Sequence, residues 1–237
     1  MMAVYKSNFL VEQDYKIDLC AQRVLYGCLA LMYQGDIISP DDVFEIDVEK
    51  YATFYNLSIK TAYADILKAS ISLKNSDIHI PEEYDTDKIH IVSWVSEVIY
   101  RKNSYYLGIK WHPTIIPYIS GFHIDTKKDG TKIWRGNVTK LTENICKQQS
   151  VITIRLYEIL KRHEFKGRYE ISVQELKEKL QLLESEVNKY KLYADFKKRV
   201  ILKSLKEIIS LTGMQITFKE KMKFGKKVDS IIFIFGD

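Results

Sequence analysis

Four charged side chains at helical spacing, Asp195, Arg199, Lys203 and Lys206, are the residues of this sequence best placed to do chemistry. At about 100° per residue they fall on one stripe of a helix expected over Tyr193–Leu211. Phe196, Val200, Leu205, Ile208 and Ile209 take the remaining arc. A guanidinium offers a planar fork of donors, and an ammonium offers a point charge. A narrow cationic face on a helix held by its apolar side therefore suits guanine edges and phosphates in a major groove. Asp195 in that setting accepts from a cytosine amino group or orients Arg199. The same spacing describes, equally well, a surface ion pair worth a few tenths of a kcal/mol. The segment that follows shifts the balance. Lys219, Lys221, Lys223, Lys226 and Lys227 crowd a hairpin expected from Met214–Glu220 and Val228–Phe235, and cations there make a clamp for phosphate.

The elements that hold this helix are written twice along the chain. Leu25-Tyr26 is echoed by Leu156-Tyr157, Glu45-Ile46-Asp47-Val48 by Glu170-Ile171-Ser172-Val173, and Tyr63-Ala64-Asp65 by Tyr193-Ala194-Asp195. The order is kept and the offsets are similar, which points to two copies of one domain. In the first copy, Ser7-Asn8 offers a cap to a short helix over Phe9–Tyr15, and Asp18 caps a helix to about Tyr33. Val43–Ile46 reads as a short strand. Asp47 and Ser58 cap two further helices, the second running to about Leu73. Two β-rich segments follow, Lys88–Val98 and Ser104–Trp111, with Tyr100-Arg101-Lys102-Asn103 at the turn. Pro113–Phe122 reads as a short helix and Lys127–Gly136 as a polar connection. In the second copy, Ser150 or Thr153 opens a helix that stops near Gly167, and Ser172 with Glu175 forms a capping-box pattern. Three helices and then a hairpin is the layout of a winged helix. The expected fold is thus α+β, two tandem winged-helix domains related by internal duplication, over residues 1–134 and 135–237.

Charge is divided unevenly between the copies. The chain of 237 residues has a net charge of +5. Residues 138–237 alone carry about 21 Lys and Arg against about 13 Asp and Glu, roughly +8, which leaves the rest near −3. The second copy is therefore expected to contact phosphate most strongly. Lys60 and Lys68 on the corresponding first-copy helix, with Arg101 and Lys102 on its turn, are expected to touch the DNA backbone at most.

Other chemistry lacks its residues. The five His residues are scattered, without a His-x-His pair, and no Gly-x-x-x-x-Gly-Lys-Ser/Thr loop is present. Cys20, Cys28 and Cys146 form no Cys-x-x-Cys pair, so neither a disulfide framework nor a zinc site is indicated. No catalytic residue, metal or cofactor is expected. Tyr105-Tyr106, Trp94 and Trp111 read as core and strand residues. The apolar stretch Val24–Tyr33 is too short to span a bilayer, and the N-terminal residues lack a secretory pattern, so a cytoplasmic protein with no membrane partner is expected.

Several blocks resemble one family. Ser7-Asn8-Phe9-Leu10 before Gln22-Arg23-Val24-Leu25, and Tyr51-Ala52-x-x-Tyr55-x-Leu57-Ser58 before Ala62-Tyr63, are similar to the iteron-binding initiators of theta-replicating plasmids. So are Ile154-Arg155-Leu156-Tyr157-Glu158-Ile159-Leu160 and Gly167-Arg168-Tyr169-x-Ile171-Ser172-Val173-x-Glu175-Leu176. Lys189-Tyr190, Phe196-Lys197-x-Arg199-Val200-Ile201, Leu205-Lys206-Glu207-Ile208 and Gly225-Lys226-Lys227-Val228 continue the likeness. The resemblance implies a C-terminal winged helix that reads origin iterons through its third helix, with Lys197, Lys198, Arg199 and Lys203 on or beside it. Lys191 and Tyr193, at the start of that helix, join the candidate set. It also implies an N-terminal winged helix that contacts the backbone in monomers and forms the homodimer interface. Monomers would initiate replication, and dimers would repress the promoter at an operator inverted repeat. Host partners by resemblance are the host replication initiator and the replicative helicase. A winged-helix transcriptional regulator without initiator activity is the alternative; an enzyme is not expected.

Overall fold

The computed structural model describes residues 3–13, 15–31, 38–82, 87–102, 104–120, 124–126, 132–134, 138–148, 150–180, 182, 190–223 and 227–236. The chain divides into two compact units, Met1–Lys140 and Leu141–Asp237, where sequence alone put the division at 134/135.

Short polar caps set the helices of the first unit. β1 (Ala3–Ser7) leads into α1 (Asn8–Glu12), whose Leu10 N–H donates to Ser7 Oγ at 3.2 Å. Asp18 Oδ1 accepts from the Ala21 N–H at 2.8 Å and starts α2 (Leu19–Leu31). β2 (Phe44–Glu45) is followed by α3 (Val48–Tyr55), where Asp47 Oδ1 accepts from Lys50 N–H at 2.9 Å. Asn56, in left-handed backbone at φ 53°, ends α3. Ser58 then caps α4 (Ile59–Asn75), which buries Ala62, Ile66, Ala69, Ser70 and Leu73 against its own domain. A hairpin of β3 (Asp77–Pro81) and β4 (Ile89–Ser93) comes next, then β5 (Val95–Tyr100) and β6 (Leu107–Trp111). β2, β6 and β5 form one antiparallel sheet in that order. Trp111, the last residue of β6, and Trp94, just before β5, are both buried. β7 (Ile124–Thr126) pairs with β8 (Lys132–Trp134), and β9 (Val138–Thr142) carries the chain out of the unit.

The second unit repeats the plan. After α5 (Glu143–Cys146), Ser150 Oγ accepts from the Thr153 N–H and starts α6 (Val151–His163). α6 is nearly all buried, including an Arg155–Glu158 ion pair one turn apart; neither charge reaches solvent, so each needs the other. A 3₁₀ turn closes on Gly167, where φ of 67° favours glycine. β10 (Arg168–Ser172) then meets α7 (Val173–Lys179), with Ser172 Oγ accepting from the Glu175 N–H at 3.0 Å. The third helix, α8, runs through Tyr193–Phe196, a π-helical segment Lys197–Ile201, and Leu202–Thr212, and ends at Gly213 with φ 69°. β11 (Ile216–Lys223) and β12 (Lys227–Phe235) form the closing hairpin. The sheet order is β10-β12-β11, the counterpart of β2-β6-β5. Each unit is a winged helix, with three core helices (α2, α3 and α4, or α6, α7 and α8) and a later hairpin (β5–β6 or β11–β12) whose last strand pairs with the short strand β2 or β10, and the fold is α+β.

The sequence echoes fall on matching elements. Leu25-Tyr26 lies in α2 and Leu156-Tyr157 in α6, while each Glu-Ile motif runs from the end of a strand through an N-cap into a helix. The third echo is out of step: Tyr63 sits in the second turn of α4, whereas Tyr193 opens α8. Three expectations need correction. Lys88–Val98 is two strands rather than one, because the buried Trp94 lies between β4 and β5, which belong to different sheets. Pro113–Phe122 holds only a 3₁₀ turn over Ile116–Tyr118 among its described residues. Part of the Lys127–Gly136 connection, Lys132–Trp134, is the strand β8.

Candidate nucleic-acid interface

The candidate site of the second unit is α8 with the β11–β12 hairpin. Phe196, Val200, Ile201, Ser204, Leu205 and Ile208 seat the helix and are all buried. Lys198, Arg199, Lys203 and Lys206 are exposed on the opposite arc. No partner side chain is found for Lys198, Lys203 or Lys206 among the described residues, so their charges face solvent. Arg199 Nε lies 3.5 Å from Asp195 Oδ1, an exposed i,i+4 pair of the weak surface kind. The pair leaves the rest of the guanidinium fork available.

The stripe expected at 100° per residue is not continuous. The Leu202 N–H bonds back to the Lys197 carbonyl, the i→i+5 pattern of a π segment. That pattern winds the chain more loosely than an α-helix, so Lys203 and Lys206 lag the straight-helix phase relative to Asp195 and Arg199. The exposed arc is consequently broader. It also holds Leu202 and Ile209, at 45% and 42% exposure, although Ile209 was expected on the buried side. Leu202 went unnoticed in the sequence; an exposed leucine between cations suits a thymine methyl.

The start of α8 is tied to the hairpin. Tyr193 Oη donates to Glu220 Oε1 at 2.7 Å, and Lys197 Nζ lies 2.8 Å from the same oxygen. Lys197 also sits over the Phe218 ring at 5.8 Å. Hydrogen bonds from Lys197 and Tyr193 hold the Glu220 carboxyl below the usual carboxylate range. Burial, then the bond to Glu220, raises the Tyr193 phenol. Lys177, over the Phe196 ring at 5.2 Å, donates to the Tyr190 carbonyl; burial, then Lys227, lowers its ammonium. Glu220 was missed from sequence. The available signal was a single carboxylate in a Lys-rich strand, in alternation with Ile216 and Phe218.

The remaining candidates separate in space and in pairing. Lys221 is bound to Glu170 at 2.7 Å, and Arg168 reaches the same carboxylate at 3.2 Å. Those two bonds hold Glu170 below its usual range. Lys223 and Lys227 face each other across the end of the hairpin and are exposed; Lys226 lies outside the described residues. Lys191 is exposed just before α8. In the first unit, Lys60 and Lys68 are exposed on α4, and Arg101 and Lys102 are exposed at the end of β5. Arg101 stacks over Tyr106 at 5.6 Å, and Tyr105 meets Tyr63 edge-on at 5.6 Å between ring centres. Tyr105, expected as a core or strand residue, is 55% exposed and lies outside the strands. Among the described residues no group of His, Cys, Asp or Glu is placed to hold a metal ion, and no helix is long and apolar enough to cross a membrane.

The chain is 26% identical over 222 residues to an uncharacterised 27.6 kDa protein of Escherichia coli, covering 89% of this chain and 86% of that one. Its fold superimposes on the crystal structure of the Pi initiator protein in complex with iteron DNA with a TM-score of 0.76, at 25% identity, over 99% of this chain and 96% of that one. Residues 3–161 match the first domain, WH1, of the initiator replication proteins, and residues 172–235 match the second, WH2. The chain belongs to the initiator replication protein family and carries both of its winged-helix domains.

Proposed function

We propose that this DNA-binding replication initiator acts at a plasmid origin, where its second unit reads repeated double-stranded sites, the iterons, in the major groove. The observation that carries this reading is the exposed cationic arc of α8, Lys198, Arg199, Lys203 and Lys206, on a helix whose other side is fully seated. The Pi initiator, which shares the fold, is bound to iteron DNA in its crystal structure. Arg199 and Lys203 reach base edges; Lys206, Lys223, Lys226 and Lys227 contact phosphate. Lys60, Lys68, Arg101 and Lys102 of the first unit touch the neighbouring backbone.

Binding several iterons as a monomer bends the origin and helps open it, after which the host initiator and helicase are recruited. Dimers form through the first unit and repress the promoter. The β3–β4 hairpin supports that assignment, since Ile89 and Ile91 leave β4 at 54% and 62% exposure. A two-fold dimer matches an inverted repeat, whereas direct repeats require every protomer in the same sense. Footprinting the DNA beside the coding region tests the proposal. A ladder of protected direct repeats, about two helical turns apart, is expected. Protection of one inverted operator alone would leave a transcriptional regulator, and strand cleavage with added Mg²⁺ would make the protein an enzyme.

A further inference from the structure

Glu220 is out of place by charge and in place by geometry. β11 reads Ile216-Thr217-Phe218-Lys219-Glu220-Lys221-Met222-Lys223, so Glu220 is its one carboxylate. Side chains alternate across a strand, which puts Ile216, Phe218 and Glu220 on one face. Their cross-strand partners Phe235, Phe233 and Ile231 are all buried, so this face turns to the core at Ile216 and reaches the surface at Glu220, whose side chain is 28% exposed. A glutamate there meets α8, and a single oxygen, Oε1, receives both Tyr193 and Lys197. Glu170, the neighbouring carboxylate of the sheet, behaves differently. It sits on the row of Lys219, on the opposite face, and ties Lys221 and Arg168 strand to strand. Glu220 joins the sheet to the helix through hydrogen bonds and charge, beside the cation–π contact of Lys197 with Phe218.

We propose that Glu220 is a specificity-determining residue, which withholds the Lys197 ammonium from phosphate on unmatched DNA and fixes the start of α8 for matched DNA. The inference rests on the reading of α8 as the DNA-contacting helix. An ammonium 2.8 Å from a carboxylate is already neutralised, so a passing phosphate gains little from it and is repelled by Glu220. Random duplex, on which α8 is not seated by base contacts, therefore meets one cation fewer. On a matched site the base contacts of Arg199 and Lys203 supply the affinity, and the tie through Tyr193 keeps those side chains in register with the groove.

The experiment uses the full chain, a random-sequence duplex, and a duplex enriched from a random library by the wild-type protein, each titrated across 50–200 mM salt. Glu220→Gln keeps the shape and removes the charge. It should raise affinity for random duplex by about three- to tenfold and steepen the log–log salt slope by about 0.9, the signature of one added phosphate contact. Affinity for the enriched duplex should not rise in step, so discrimination falls. Lys197→Ala in the Glu220→Gln background should return the slope to its wild-type value. Tyr193→Phe should leave the random-duplex slope alone and lower enriched-duplex affinity by about two- to tenfold. Thermal melting of each variant separates a folding defect from these effects, since misfolding would lower both affinities and could not steepen the slope. An unchanged or shallower slope in Glu220→Gln, with enriched DNA still bound specifically, would overturn the role of Glu220 alone. Failure of the wild-type chain to enrich any sequence would overturn the DNA-reading function and this inference with it.

Discussion

The third helices of the two winged units, α4 and α8, occupy the same place in the same sheet order yet are built for opposite ends. α4 is regular over 17 residues, is capped by Ser58, and seats itself with small residues, Ala62, Ala69 and Ser70, beside Ile66 and Leu73. α8 has no side-chain cap at Leu192, changes its winding at Lys197–Ile201, and seats itself with Phe196, Val200, Ile201, Leu205 and Ile208. Small residues let α4 approach its neighbours closely, so its stability comes from local regularity and packing. Large residues anchor α8 strongly enough to tolerate an irregular turn and a run of cations on its outer arc. α4 is held by its capped start and its small buried residues; α8 is held by its large buried residues and, at its start, by Glu220. The two units thus share a frame, while α8 gives up the regularity of α4 and carries more exposed charge.

Removing the anchor of α8 should have the largest consequence. Phe196→Ala deletes a fully buried ring and is expected to destabilise the second unit by about 3–5 kcal/mol. Urea unfolding checks it, and a cost under about 1 kcal/mol would show that the helix is seated by something other than its apolar side. DNA binding gives the next largest difference. Arg199→Ala and Lys203→Ala should each weaken enriched-duplex binding by about 1–3 kcal/mol. Lys60→Ala and Lys68→Ala should weaken enriched and random duplex alike, each flattening the salt slope by about one contact or less. Equal losses on both helices would end the division of labour between the units. A smaller effect concerns the caps. Ser58→Ala removes the acceptor for the Thr61 N–H and should cost about 1 kcal/mol of first-unit stability. Leu192→Ala, at the cap position of α8, has no such bond to lose and should be near neutral in the same melts.

Much of this contrast was legible in the sequence, and the part that was not has a physical reason. Caps are local, so Ser7, Asp18, Asp47, Ser58, Ser150 and Ser172 could be read residue by residue, and each closes the expected bond. The second wing followed from alternation, but in the first unit the β3–β4 hairpin did not, and Lys88–Val98 runs two strands of different sheets together. The π segment left no mark, because Lys197–Ile201 has the composition of an ordinary amphipathic turn. Glu220 was hidden for a related reason. Its partners, Tyr193 and Lys197, lie more than twenty residues away, and only the strand–helix packing brings them to one oxygen. Tyr105 was placed among strand residues because aromatic residues favour strands, but it sits outside them and meets Tyr63 of α4 instead.

The smallest expected effect sharpens the comparison through pH. Glu220 is held below the usual carboxylate range by hydrogen bonds from Lys197 and Tyr193, whereas Glu97, the carboxylate of β5 in the first unit, pairs with Lys110 of β6. A carboxyl depressed in the folded state stabilises fully above its unfolded value, near pH 4.3, and that stabilisation is lost as pH falls through the folded value. The second unit should therefore lose stability on acidification below about pH 5, and Glu220→Gln should lose less. The group is partly exposed and its pair screened, so the difference should not exceed about 0.5 kcal/mol. Other depressed carboxyls, Glu170 and the cap residue Asp47, titrate in the same direction, so the measurement is the gap between the wild-type and Glu220→Gln melting curves at each pH. The gap should close as the pH falls through the folded value of Glu220, below which both chains lack the charge. A gap that widened as the pH fell would mean that Glu220 destabilises the folded unit at neutral pH, and the tie between α8 and β11 would then be a constraint imposed by packing elsewhere.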